Sequence, residues 1–382
     1  MRSASATRRN GGPSEWSAPR CGRCGGMWDE RTREASRSRA STPRPCGSLP
    51  DSPSCPPGRS SGRGGDRLCH PNLRRLPMRK GLWIVGLLVV LLLIGYFWPI
   101  PREDFAKLYQ KVPPQVRQSL LDFRAQHPPK HVRVGQHDWE YVAFGKGEKA
   151  ILFLHGMTGA YDVWWQQMVP LSEQYKVVSL TYPPVDTLEE LSQGVLAVLD
   201  AEGIQRANVV GTSLGGYLLQ YLMVHHPERI EKAVLGNTFP PNDVLRQRNQ
   251  TLIRILPFLP DWLVMRTFRN NFVKVIYPAA GYSELVLAYM LEQVSGRMSK
   301  AQIVGRARAV IEPFQPPQPE AQGIPVMIIE ADNDPLVEAS LREQLKTTYS
   351  GARVHTLHAV GHFPYLNEPE TYTELLQAFF GE

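Results

Sequence analysis

The chain has 382 residues, a formal net charge of +7, 42% hydrophobic residues and five cysteines. The length would suit two or three domains, but the composition is divided. The positive charge gathers in an arginine-rich leader, which excludes reading it as a nucleic-acid-binding surface of the folded part, and every cysteine lies before residue 78, which leaves the remainder no disulfide framework.

Residues 1–77 are crowded with Arg, Ser, Gly and Pro and lack apolar periodicity, so they cannot bury enough surface to offset chain entropy; a disordered basic leader is expected. Cys21-Gly-Arg-Cys24 has the form of half a zinc site, but Cys46, Cys55 and Cys69 supply no second pair at ligand spacing, and no metal is expected. Met78 opens a segment resembling an ordinary protein start, so the leader is a candidate for absence from the working protein.

Residues 81–101 carry no charge, and as one helix they would rise roughly 31 Å, near the ~30 Å hydrocarbon core of a bilayer. Arg74, Arg75, Arg79 and Lys80 precede the run; Arg102, Glu103 and Asp104 follow it. This predicts a transmembrane signal anchor over 78–101, with the N-terminus cytoplasmic and the rest extracytoplasmic. No small-x-small site follows the apolar core, which argues against cleavage. Residues 102–130, with Pro113-Pro114 and Pro128-Pro129, are expected to form a stalk.

From residue 131 the pattern predicts strands at 131–134, 139–144, 150–155, 176–182, 207–212, 230–237, 325–330 and 353–358, with helices between most of them. This is an α/β chain with a mostly parallel eight-stranded sheet flanked by helices. In such sheets ligands bind beyond the carboxyl ends of the strands, so the residues leaving each strand are where chemistry is expected.

After the third strand comes His155-Gly156-Met157-Thr158-Gly159, a turn whose N–H groups could bind a developing oxyanion. Met157 is one expected donor; His155 is expected to be mainly structural. The fifth strand ends in Gly211-Thr212-Ser213-Leu214-Gly215 before a run with helical apolar spacing over 214–225, the strand-turn-helix setting of a G-x-S-x-G nucleophile elbow. Gly211 and Gly215 let strand and helix approach while Ser213 takes a strained turn, and Leu214 offers the second oxyanion donor. A long insertion follows the sixth strand and predicts a helical cap at about 240–320, with apolar clusters interleaved with Arg246, Arg248, Arg254, Arg266 and Arg269. Asn249-Gln250-Thr251 is a glycosylation sequon, relevant only to an exported chain. The seventh strand leads into Ala331-Asp332-Asn333-Asp334-Pro335, where Asp334 is the better candidate for orienting an imidazole and Asp332 for stabilising the turn. The eighth leads into Gly361-His362-Phe363-Pro364, making His362 the expected general base.

By its oxyanion turn, its Gly-Thr-Ser-Leu-Gly-Gly elbow, its Asp-Asn-Asp-Pro-Leu-Val acid loop and its Gly-His-Phe-Pro loop, the chain from 131 to the end resembles the α/β-hydrolase superfamily. Within it the closest likeness is to a maspardin-like branch, through residues 160–165 (Ala-Tyr-Asp-Val-Trp-Trp), Leu180-Thr181-Tyr182-Pro183 and Gly236-Asn237-Thr238-Phe239. Most of the superfamily has a D-x-R-G-x-G-x-S-like stretch after the fourth strand; here Tyr182-Pro183-Pro184-Val185-Asp186 stands instead. The resemblance implies two classes of function. One is a serine hydrolase of carboxylic esters or thioesters, working through Ser213, His362 and Asp334 without a cofactor on a small, lipid-like acyl substrate. The other is a hydrolase-shaped adaptor that binds a protein partner and lacks the catalytic histidine; His362, present at that position, favours the hydrolase.

Overall fold

The computed structural model describes residues 78–316 and 323–382; the expectations for the leader and its cysteines lie outside the described residues. Eight strands form one sheet: β1 (Lys130–Val134), β2 (His137–Phe144), β3 (Ala150–Leu154), β4 (Lys176–Thr181), β5 (Ala207–Thr212), β6 (Ile230–Gly236), β7 (Val326–Ala331) and β8 (Arg353–Leu357). Their spatial order is β1-β2-β4-β3-β5-β6-β7-β8, with β1–β2 and β2–β4 antiparallel and all other pairs parallel. The parallel pairs Leu154↔Gly211, Gly211↔Leu235, Leu235↔Ile328 and Ile328↔Val354 align the carboxyl ends of five strands. Residues far apart in sequence therefore leave the sheet along one edge.

Helices α1 (Met78–Tyr96), α2 (Phe105–Leu108) and α3 (Pro114–Gln126) precede the sheet, and α4 (Trp165–Leu171), α5 (Leu188–Ala201) and α6 (Leu214–His225) follow successive strands. The insertion after β6 carries α7 (Asp243–Ile255), α8 (Asp261–Asn271), α9 (Tyr277–Ala279), α10 (Glu284–Glu292) and α11 (Lys300–Ala309), a helical cap where one was expected. Helices α12 (Ala339–Thr348), α13 (Pro364–Asn367) and α14 (Pro369–Gly381) complete the chain.

Because side chains alternate across a strand, each central β-strand feeds two cores. Ile151, Phe153, Val210 and Val234 pack on one face with α4, α14 and the cap; Leu152, Leu154, Val209 and Leu235 pack on the other with α5, α6 and α12. Each fully buried aliphatic side chain contributes about 1.5–3 kcal/mol, so the near-continuous apolar strands stabilise a sheet covered on both sides.

Two N-terminal expectations are corrected. Among the described residues no helix is long and apolar enough to cross a membrane, so the predicted signal anchor and the topology built on it, with an extracytoplasmic domain, do not hold. The physical reason is where α1 stops: it ends at Tyr96 ahead of Pro99 and Pro101, so its uncharged part, residues 81–96, rises only about 24 Å rather than the ~30 Å a span requires. The segment expected as a stalk is instead packed on the domain, with Tyr109, Val112, Leu120 and Phe123 buried in the core. Arg124 of α3 fastens it, ion-paired to Asp162 after β3 at 2.7 Å and to Glu292 of α10 at 2.9 Å.

Candidate active site

Ser213 sits between β5 and α6 with φ 53° and ψ −118°, a conformation that costs a non-glycine residue on the order of 1–3 kcal/mol and persists only where its surroundings enforce it. They do so here. The Ser213 N–H donates to the Gly236 carbonyl at 3.0 Å, and the Thr238 hydroxyl donates to the Ser213 carbonyl at 2.7 Å. A Cβ on Gly211 would lie 2.4 Å from the Gly215 carbonyl oxygen, and one on Gly215 would lie 2.1 Å from that of Leu154, so the crossing of β5, β3 and α6 has room only for glycine at both positions.

His362 follows β8 and is buried, its Nδ1 edge 2.8 and 2.9 Å from the two carboxylate oxygens of Asp334. Asp334 also accepts from the Asn237 amide at 2.8 Å and from the N–H groups of Leu336 and Val337 at 2.8 and 3.2 Å. Burial pushes its carboxyl upward, but the His362 charge and these hydrogen bonds outweigh burial and hold it below the usual carboxylate range. Asp332 turns elsewhere: it meets His358 Nδ1 at 2.8 Å and accepts from the Ala359 N–H at 3.0 Å, buttressing the loop that carries His362.

Asn333 between them bridges that loop to the cap, accepting from the Gly361 N–H and donating to the Ala279 carbonyl, both at 2.8 Å.

The turn after β3 is equally constrained. The Gly156 carbonyl accepts from His155 Nδ1 at 2.7 Å and from the Gly159 N–H at 3.2 Å. Across a trans peptide N–H and C=O point oppositely, so the Met157 N–H is directed away from the His155 ring. Leu214 opens α6, where the first N–H groups have no intrahelical acceptor. His155 is fully buried, and the Tyr182 N–H approaches its Nε2 at 3.4 Å, which leaves Nδ1 as the donor. Burial, then the Arg306 charge, hold its imidazole well below the usual histidine range, so it stays neutral.

Gly156, Met157, Ser213 and His362 all border one cavity of about 450 Å³ roofed by the cap. Leu252, Ile253, Leu256, Phe268, Phe272 and Ile303 are among its walls, and no Asp, Glu, Lys or Arg lines it among the described residues. The cap arginines noted in the sequence face elsewhere. Asn249 of the sequon lies inside α7, bonded to the Leu245 carbonyl at 2.9 Å, and borders the same cavity. No group of three or more His, Cys, Asp or Glu side chains among the described residues is placed to hold a metal ion.

Two contributions were not legible in the sequence. Asn237, at the end of β6, has φ 40°, a left-handed conformation that Asn tolerates better than most residues, and that turn brings its amide to Asp334. An Asn at a strand exit was the available signal. Arg306, one of two arginines in a cap helix, carried no signal at all.

A doubly covered, mostly parallel sheet with a strained serine at one strand exit, and a histidine paired to an aspartate at two others, defines an α/β-hydrolase-type protein. The chain belongs to the alpha/beta hydrolase family, whose family model matches residues 151–375. Over 258 residues it is 25% identical to maspardin of Danio rerio, covering 64% of this chain and 79% of that protein. It is 24% identical over 258 residues to the putative carbamate hydrolase RutD of Caulobacter segnis, covering 64% of this chain and 94% of that one. Its fold is similar to the enol-lactonase from Burkholderia xenovorans LB400, with a TM-score of 0.55 and 21% identity over 66% of this chain and all of that one.

Proposed function

We propose that the protein is a serine hydrolase that cleaves carboxylic esters or thioesters through an acyl-enzyme, with Ser213 as nucleophile, His362 as general base and acid, and Asp334 as the group that orients the imidazole. The observation that carries this reading is the buried His362–Asp334 pair, with both carboxylate oxygens within 2.9 Å of Nδ1, beside a cavity that also holds the strained Ser213.

With Nδ1–H held by Asp334, Nε2 is the free basic nitrogen. As Ser213 Oγ bonds to the acyl carbon, its proton passes to His362 Nε2, and the carbonyl electrons move onto the oxygen facing the Met157 and Leu214 N–H groups. Collapse breaks the bond to the leaving alcohol or thiol, which takes the proton from His362. Water then attacks the acyl-enzyme, giving one proton to His362, which returns it to Ser213 Oγ as the acid leaves.

The test is covalent labelling with a fluorophosphonate. The wild-type chain should label and Ser213→Ala should not. A folded but unlabelled wild type would replace this reading with that of a hydrolase-shaped binding protein, in keeping with the maspardin likeness.

A further inference from the structure

Arg306 of α11 is fully buried, yet no carboxylate of the described residues pairs with it. Its oxygen partners are backbone carbonyls: one terminal nitrogen donates to Met157 at 2.8 Å and Gly159 at 3.2 Å, the other to Tyr182 at 2.9 Å. Burial lowers the guanidinium to about 10, which still leaves it charged at neutral pH. A desolvated cation without a counter-ion is costly, and a sequence that keeps one gains something from its position.

The position is specific. Tyr182, whose carbonyl Arg306 holds, gives its own N–H to His155 Nε2; His155 Nδ1 holds the Gly156 carbonyl; and the next carbonyl, that of Met157, returns to Arg306. The circuit closes around the two peptides that flank Met157. Its route through Tyr182 uses the strand exit where Tyr182-Pro183-Pro184 departs from the common superfamily pattern. Gly305 explains how α11 comes so near: a Cβ there would lie 2.1 Å from the Val185 carbonyl oxygen.

We propose that Arg306 is a positioning residue for the oxyanion hole, reaching from the cap to hold the Met157 carbonyl, on the peptide that follows the donating Met157 N–H, and setting a fixed positive charge behind the turn. The inference rests on the serine hydrolase reading. It makes the hole complete only while α11 is seated on the 182–186 loop, so the cap is part of the catalytic apparatus as well as the roof of the cavity. Positive charge and a fixed donor both act on the charge that develops in the transition state, and little on bound substrate.

The experiment compares wild type, Arg306→Met, Arg306→Lys and, as a control away from the cap and the 182–186 loop, Lys146→Met, whose side chain pairs with Glu173 at the surface. For each, kcat and KM are measured on a p-nitrophenyl ester, Ki on a trifluoromethyl ketone that forms a tetrahedral adduct, and folding by circular dichroism. Arg306→Met should lose roughly 30- to 100-fold in kcat with KM within about threefold, and Ki should rise in step with the loss of kcat. Arg306→Lys, which keeps the charge but not the fork, should fall between, and Lys146→Met should match wild type. If Arg306→Met does not fold, the lysine variant carries the same comparison. A wild type that labels while the folded Arg306 variants keep kcat, or lose affinity for substrate and ketone alike, overturns the inference alone. A wild type that neither labels nor turns over ester overturns it together with the hydrolase reading.

Discussion

Asn237 and His362 meet on the same oxygen of Asp334, each at 2.8 Å, so the amide at the end of β6 and the imidazole after β8 fix the carboxylate between them. Removing its charge while keeping its shape should cost the imidazole both its orientation and the partner that stabilises its protonated form. Asp334→Asn is expected to lower kcat by about a thousandfold or more, as a triad aspartate does, while Asp332→Asn, which touches His358 and the Ala359 N–H, should stay within about tenfold. Steady-state kinetics on one ester checks both, and equal losses would leave the acid unassigned.

In the proposed mechanism His362 both takes and returns the proton, so in His362→Ala ester turnover should fall by at least about a thousandfold with little change in KM. Stopped-assay rates above the uncatalysed background decide it. A variant within tenfold of wild type would mean that another base serves Ser213.

Asp162 supplies a third expectation, this one for stability. It is wholly buried between Arg124 at 2.7 Å and Arg297 at 2.9 Å and accepts from the Tyr289 hydroxyl at 2.5 Å, linking α3, the segment after β3 and the cap. Asp162→Ala leaves two largely desolvated guanidinium groups without it and should cost about 3 kcal/mol in urea unfolding, read as a fall in midpoint at constant slope. Burial raises the Asp162 carboxyl, but Arg297, Arg124 and the hydrogen bonds bring it below the usual range, as the His362 charge and hydrogen bonds do for Asp334. Between the depressed folded value and the unfolded value near 3.9, the unfolded chain binds more protons, so stability rises with pH there. Their contribution is therefore complete above about pH 4 to 5 and is lost as pH falls through the folded values. Urea midpoints for wild type should drop more steeply below pH 4 than those for Asp162→Ala.

The sheet was legible because its signals are local. β-branched and apolar runs such as Val209-Val210 and Ile151 to Leu154 declare buried strands, and Gly211 and Gly215 mark the one corner where no side chain fits. Ser213, Asp334 and His362 could be singled out because a parallel sheet sends its strand exits to one edge, so position in the chain stood in for position in space. Asn237, Arg306 and the Arg124–Asp162–Arg297 cluster depend on contacts between distant segments, and a lone polar residue in a sequence does not announce its partner. The error at residues 81–101 has the same root. Hydropathy counted the uncharged run, while the prolines that end α1 decided how much of it became helix.

The cavity makes the final prediction, which concerns the acyl group. A space of about 450 Å³ walled by Leu252, Ile253, Leu256, Phe268 and Phe272, with no Asp, Glu, Lys or Arg on its lining among the described residues, favours a neutral apolar chain and offers no cation to a second carboxylate. Each methylene taken out of water contributes about 0.8 kcal/mol, or nearly fourfold when fully expressed in the transition state. Across p-nitrophenyl acetate, butyrate, hexanoate and octanoate, kcat/KM should therefore climb by at least tenfold in all, and a monoester carrying a terminal carboxylate should be slower than its uncharged counterpart of equal length. Replacing Leu256 with Trp, which adds bulk to the wall, should lower the optimum chain length without abolishing acetate hydrolysis. A steady fall from acetate onward would place the chain outside this cavity and leave the apolar walls with only a packing role.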